Sequence, residues 1–270
     1  MRISRGIFGA AVVVYSIGLV AAVTVAPAAE AASAVSYVAL GDSYSSGLGA
    51  GDYISSSGSC DRSTRAYPEQ WAGAYTPASF VSAACAGATT ADVLSSQVSA
   101  LSTSTTLVSI TIGGNDAGFS SVMETCVLGS TSSCLTAVSN AEAFVGGTLP
   151  ARLSTTLQTI RAHAPNAKIV LLGYPDLYDL SKSGTCIGLS TQDRTALNGA
   201  ANALDSALST AATANGDTFA DVRGRFAGHE ICDSGSWLNS VDIFAISSSY
   251  HPNASGQELG YRYVFSEAAG

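Results

Sequence analysis

The chain has 270 residues, with 12 Lys and Arg against 20 Asp and Glu and a formal net charge of −8. That balance, with no basic run anywhere, excludes a protein that neutralises a nucleic-acid backbone or docks electrostatically on an anionic membrane, although an apolar patch could still touch a lipid aggregate. Hydrophobic residues make up 47% of the chain, enough for one domain with a full core and too short a chain to require two.

The N-terminus reads as a removable export signal. Arg2 and Arg5 precede an almost unbroken apolar run from Ile7 to Val25, and small-residue cleavage sites follow at Ala29-Glu30-Ala31 and Ala32-Ser33-Ala34. The rival reading is a membrane anchor, since the run is nearly long enough to span. The crowding of small residues and the strand that begins at once favour cleavage. Residues 1–31 are therefore expected to be the leader and 32–270 a single secreted, extracellular domain. Losing Arg2, Arg5 and Glu30 moves the formal charge from −8 to −9.

Strand-like and helix-like runs then alternate, which predicts an α/β fold with a parallel sheet covered on both faces. Tyr37 to Leu40 is the first strand, followed by a sharp turn at Ser43 and a loop rich in Gly and Ser. Ala66 to Tyr75 is helical, with Pro68 in its first turn. Ser79 to Ala84 is a short strand, and Thr90 to Leu101 a helix whose stripe runs through Val93, Leu94, Gln97, Val98 and Leu101. Leu107 to Ile112 is the clearest strand and stops at the breaker cluster Gly113-Gly114-Asn115-Asp116. Thr136 to His163 is helical with an interruption near Gly146, Gly147 and Pro150. Lys168 to Leu172 is a buried strand, Thr191 to Ala214 a long Ala-rich helix, and Thr218 to Val222 a last strand. Residues 223–250 lack periodicity, and Pro252 to Glu267 holds a closing helix.

All six cysteines, Cys60, Cys85, Cys126, Cys134, Cys186 and Cys232, lie beyond the leader. An even count behind an export signal implies three disulfides, and six cysteines admit 15 pairings. Sequence alone does not choose among them; Cys126 and Cys134 are close enough to close a small loop, and the neighbouring pairs 60–85 and 186–232 are one expectation for the rest. No Cys-x-x-Cys and no cysteine–histidine cluster supports a metal site.

The chemistry-bearing residues fall where strands end. Ser43 follows the first strand in Gly-Asp-Ser-Tyr-Ser-Ser-Gly, Gly87 follows the second in Ala-Gly-Ala, and Asn115 follows the third. In an open parallel sheet, ligands bind beyond the carboxyl ends of the strands, so three distant turns can converge on one crevice. Acyl transfer needs a nucleophile and a base within hydrogen-bond reach of it. Only three histidines exist, His163, His229 and His251. His163 ends a helix, where a cation suits the helix dipole, and His229 lies beside Cys232. His251, in Tyr-His-Pro-Asn before the closing helix, is the expected base.

These blocks resemble the SGNH hydrolases, also called the GDSL esterase/lipase family. Gly41-Asp42-Ser43-Tyr44-Ser45 matches the family's first block, Gly87 the second, Gly113-Gly114-Asn115-Asp116 the third and His251-Pro252 the last, in that order and across nearly the whole mature chain. The closest likeness is to small secreted bacterial lipases and phospholipases A with three disulfides, whose expected pairing agrees with the neighbouring one above. The resemblance implies a three-layer α/β/α, flavodoxin-like sandwich and a nucleophilic Ser43. It also implies an oxyanion hole formed by the Ser43 and Gly87 backbone N–H groups and the Asn115 side-chain amide.

One position departs from the family pattern. Many members carry aspartate three residues before the histidine, where this chain has Ser248. The expectation is a Ser–His dyad, with the backbone carbonyl of Ser248 or Ser249 accepting the Nδ1 proton and Asp233 or Asp242 as outside candidates. Asp42 and Asp116 are expected to hold the catalytic turns through hydrogen bonds. Asn253-Ala254-Ser255 fits a glycosylation sequon, discounted because its bulk would obstruct the base.

Gly-x-Ser-x-Gly, Walker, His-Glu-x-x-His and dinucleotide motifs are all missing, so no cofactor is implied. The expected activity is hydrolysis of carboxylic esters, on resemblance those of glycerides or phospholipids, by a monomer with no nucleic-acid partner and no stable membrane insertion. The alternatives are deacetylation of a carbohydrate or small ester on the same site, and a binding module that keeps the fold without turnover.

Overall fold

The structure, a computed structural model, describes residues 1–2, 6, 9–11, 34–182, 186, 188–242 and 246–270. The chain divides into two units, Met1–Ser33 and Ala34–Gly270. The expected leader falls almost wholly outside the described residues. No helix among those described is long and apolar enough to cross a membrane.

The second unit runs β1 (Ser36–Gly41), α1 (Ser43–Ser46), α2 (Tyr67–Tyr75), β2 (Ser79–Ser82), α3 (Thr90–Ser95), β3 (Leu107–Thr111) and α4 (Phe119–Leu128). It continues through α5 (Thr131–Gly147), α6 (Leu149–His163), β4 (Lys168–Leu172), α7 (Thr191–Asn215), β5 (Thr218–Ala220), α8 (Arg223–Phe226) and α9 (Arg262–Ala269). The five strands form one all-parallel sheet in the order β2-β1-β3-β4-β5. A buried parallel strand has no solvent face, so its residues need not alternate. β3 shows this, being buried at all five positions. The edge strand β2 stays half exposed.

Helices cover both faces. α2 and α9 pack together on one, where Tyr37, Tyr67, Trp71 and Phe265 interlock as an aromatic layer with ring centroids 5.1–5.5 Å apart. α3, α6 and α7 cover the other, with α5 against α6 and α7, and α4 beyond it.

This order positions the site. The chain leaves β1 toward β2 and leaves β3 toward β4, on opposite sides, so the crevice of an open parallel sheet opens between β1 and β3. The register pairs Gly41 with Thr111, which brings the turn after β1 and the turn after β3 out side by side.

Most predicted elements appear within a residue or two, and the differences have local causes. The helix expected over 90–101 breaks at Ser96 (φ −130°) and resumes as a 3₁₀ turn over Gln97–Ala100. Gln97 there turns its amide onto backbone instead of joining the apolar stripe. The interruption expected near Gly146 and Pro150 is a junction at Thr148 between α5 and α6, with Pro150 in the first turn of α6, where its missing N–H costs nothing. The closing helix carries a π-helical stretch, Gly256–Tyr261, before α9. α4 and the one-turn α8, within the stretch expected to be a loop, were not anticipated. The disulfides are Cys60–Cys85, Cys126–Cys134 and Cys186–Cys232.

Candidate active site

Gly41 ends β1 at φ +120°, and a Cβ there would meet the Thr111 carbonyl at 2.3 Å. Only glycine lets β1 run this close to β3 and turn at once into α1. Asp42 caps α1: its Oδ1 accepts from the Tyr44 N–H (3.0 Å) and the Thr111 hydroxyl (2.6 Å), and its Oδ2 accepts from the Tyr174 hydroxyl. Burial raises its carboxyl to about 6, and these hydrogen bonds oppose the rise. Gln97 completes the frame by accepting from the Gly41 N–H (2.7 Å) and donating to its carbonyl (2.9 Å).

Ser43 is thus the first residue of a helix held from three sides. Its Oγ lies 2.7 Å from His251 Nε2. The other ring nitrogen, Nδ1, lies 2.9 Å from the Ser249 carbonyl. A carbonyl only accepts, so Nδ1 carries the proton and the Nε2 lone pair faces the serine hydroxyl. Burial lowers the imidazole to about 4, with the Ser249 bond acting in the opposite sense. Of the two carbonyls considered, Ser249's takes the imidazole proton. Ser248's accepts from the His251 backbone N–H at 3.3 Å. Asp233 instead accepts from Lys182 and from the Glu230 N–H.

The other predicted residues gather around this pair. Asn115 donates one amide hydrogen to the Ala88 carbonyl at 3.0 Å, which ties the turn after β3 to the turn that carries Gly87. Gly87 sits at φ +79° with open space where a Cβ would stand. Neither the Ser43 nor the Gly87 N–H finds an acceptor among the described residues, and Asn115 retains its second amide hydrogen. Asp116 accepts from the Thr90 N–H (2.9 Å) and hydroxyl (2.6 Å), holding the start of α3 against the same turn. The Cys60–Cys85 bridge and the bond from the Ala86 N–H to the Cys60 carbonyl (3.1 Å) hold that turn from its other end.

Ser43 and Asn115 line an apolar cleft walled by Val122, Met123, Val145, Leu177, Leu197 and Leu204 from α4, α5, α7 and the loop after β4. Gly87 and His251 stand outside its lining. A concave, apolar space with a few polar groups at one end suits a ligand with an apolar tail and one polar reacting centre.

The remaining histidines sit elsewhere. His229 stacks on Trp237 at 3.8 Å with its Nδ1 3.0 Å from the Gly235 carbonyl, and His163 ends α6. Asn253 donates to the Ser236 carbonyl (2.8 Å) and accepts from the Ser255 and Gly256 N–H groups, so its amide is spent on holding the closing helix. No cluster of His, Cys, Asp or Glu among the described residues is placed to hold a metal ion.

Sequence reasoning missed Gln97, Tyr174 and Asn239. A polar residue within an apolar helical stripe was a usable signal for the first. The other two act through partners 132 and 190 positions away in sequence, for which a single chain carries no local sign.

A doubly covered parallel sheet with a serine–imidazole pair at its switch point, beside an apolar cavity, defines an α/β ester hydrolase. The GDSL-like Lipase/Acylhydrolase family model matches residues 39–259, and the chain belongs to that family. It is 54% identical over 244 residues to Lipase 1 of Streptomyces coelicolor, covering 90% of each chain. The crystal structure of phospholipase A1 from Streptomyces albidoflavus NA297 superposes with a TM-score of 0.85 at 53% identity, over 87% of this chain and all of that one. The extracellular lipase of Streptomyces rimosus gives 0.84 at 49% identity over the same shares. The chain is a carboxylic ester hydrolase.

Proposed function

We propose that the chain is exported, loses residues 1–31, and hydrolyses lipid esters, glycerides or phospholipid acyl chains, through a Ser43–His251 dyad. One observation carries this reading: Ser43 Oγ lies 2.7 Å from an imidazole whose far nitrogen rests on a backbone carbonyl, at the mouth of an apolar cavity.

Ser43 Oγ attacks the acyl carbon as its proton passes to His251 Nε2. The carbonyl π electrons move to oxygen, and the oxyanion is met by the Ser43 N–H, the Gly87 N–H and the free amide hydrogen of Asn115, donors fixed before the charge develops. Collapse expels the alcohol, which takes the proton from His251 and leaves Ser43 acylated. Water then gives a proton to His251, attacks the acyl carbon, and releases the acid with Ser43 restored. The acyl chain occupies the space between α4, α5 and α7. The lipase and phospholipase names of the close Streptomyces relatives support a lipid substrate, as do the cavity's apolar walls. Three disulfides and the extracellular S. rimosus relative support export.

The test pairs a fluorophosphonate label with a panel of p-nitrophenyl esters of rising chain length, a phospholipid and an acetylated sugar. Labelling at Ser43, lost in Ser43→Ala and His251→Ala, and faster turnover of medium or long chains than of acetyl are expected. Preference for acetyl over every longer chain overturns the lipid assignment, and an unlabelled Ser43 in folded protein overturns the dyad.

A further inference from the structure

Tyr250, immediately before the imidazole, has a backbone φ of +65° although its side chain is buried. An aromatic residue adopts that left-handed conformation only when its surroundings over-determine it. Here they do. The peptide joining Ser249 to Tyr250 presents its carbonyl to His251 Nδ1 at 2.9 Å and its N–H to the Asn239 carbonyl at 2.8 Å. The next peptide presents its carbonyl, that of Tyr250, to the Tyr44 hydroxyl at 2.7 Å. Asn239 also donates its own N–H to the His251 carbonyl (2.9 Å) and its side-chain amide to the carbonyls of Gly49 (3.0 Å) and Ser248 (3.2 Å). Tyr44 is the residue after the nucleophile, and its ring lies 5.2 Å from the imidazole.

We propose that Tyr44 and Asn239 are positioning residues for ester hydrolysis: together they hold Tyr250 left-handed, so that the Ser249 carbonyl takes the Nδ1 proton and Nε2 faces Ser43. The proposal rests on the dyad reading above. A carbonyl brings no full charge to the imidazolium, so its contribution is orientation, and orientation requires a rigid carbonyl. The Asn239 carbonyl accepts from the Tyr250 N–H, which polarises that same peptide and strengthens the bond its Ser249 carbonyl makes to the ring. The Asn239 side-chain amide, tied to the Gly49 and Ser248 carbonyls, fixes that acceptor in place. The Tyr44 hydroxyl couples the helix of the nucleophile to the loop of the base, so the two cannot drift apart independently.

The experiment compares Tyr44→Phe and Asn239→Ala with Tyr37→Phe in the full chain. Tyr37→Phe also deletes a buried hydroxyl, one bonded to Ser109 and not directly to the histidine loop. The readouts are kcat and KM on a p-nitrophenyl ester, fluorophosphonate labelling of Ser43, and the imidazole tautomer of His251 from ¹⁵N NMR. Tyr44→Phe and Asn239→Ala are expected to lower kcat roughly 10- to 100-fold with KM within about twofold. Both should raise the fraction of His251 protonated at Nε2, while Tyr37→Phe retains wild-type kcat and tautomer. Wild-type kcat with an unmixed Nδ1–H tautomer in both variants, or an equal loss in Tyr37→Phe, overturns the proposal. Failure of wild-type Ser43 to label strikes the dyad instead, so the two failures are told apart.

Discussion

His251 and Asn115 carry the sharpest consequences for single side chains. Burial lowers the imidazole to about 4, so it stays neutral, and able to accept the serine proton, well below the usual histidine range. The acidic limb of kcat/KM against pH is expected to fall nearer 4 than 6.5, and a limb near 6.5 would contradict the burial. The same shift bears on stability. Between pH 6.5 and about 4 the unfolded chain protonates this histidine and the folded chain does not, so its contribution is present above 6.5 and lost as pH falls through that window. Asp42 and Asp205 act in the opposite direction. Burial raises them to about 6 and about 7, so their contribution is complete below the ordinary carboxylate range and lost as pH rises through 6 to 7. Asp205→Asn should therefore flatten denaturant-melt stability between pH 4 and 7, and an unchanged slope would rule this out. Asn115→Ala removes a proposed donor to the developing oxyanion and is expected to lower kcat about 10²–10³-fold, with KM changed much less. A selective rise in KM would assign Asn115 to ground-state binding.

Among the elements, the 3₁₀ turn after α3 and the wall formed by α7 matter most. Gln97 makes both of its hydrogen bonds to Gly41, so Gln97→Leu leaves the buried Gly41 N–H unpaired. A loss of about 2 kcal/mol, or roughly 4–8 °C in Tm, is expected by thermal melting, and an unchanged Tm would show that the turn stands without it. α7 turns Leu197, Ala200, Ala201 and Leu204 toward the cavity at helical spacing. The two alanines leave room that an acyl chain would fill. Ala200→Phe should reduce turnover of long-chain esters about tenfold or more while sparing butyrate. A uniform fall across chain lengths would place the acyl chain elsewhere. The elements themselves were largely legible, because β-branched runs and helical stripes are local signals. α4 was not, because Phe119–Leu128 carries no side-chain cap at its start and a cysteine within its last turn.

For the molecule as a whole, three disulfide bridges and a five-stranded parallel sheet set the frame in which the turns meet. Cys60–Cys85 closes 25 residues of chain between the loop after α1 and the Gly87 turn. The chain-entropy estimate for a loop of that length is roughly 3.5 kcal/mol. The Cys60→Ala/Cys85→Ala double variant should show a loss of that order in urea unfolding, and a loss far below it would mean that the unfolded chain is already held compact. The −8 charge and the apolar cavity together fit a protein that meets its ester by burying a chain rather than by attracting a charged headgroup.

The proposed reactive groups could be named from the letters alone because chemistry restricts residue type. A hydroxyl nucleophile, an imidazole base and an uncharged amide donor leave few candidates in a chain with three histidines, and strand ends point to one rim. Which carbonyl meets the imidazole, and what keeps it there, could not be read that way. Ser249, Tyr250 and the Asn239 carbonyl meet through backbone groups that every residue possesses, and the Tyr44 hydroxyl reaches the Tyr250 carbonyl from 206 positions away. Folding selects among identical peptide groups by where it places them, and no local pattern of side chains records that choice.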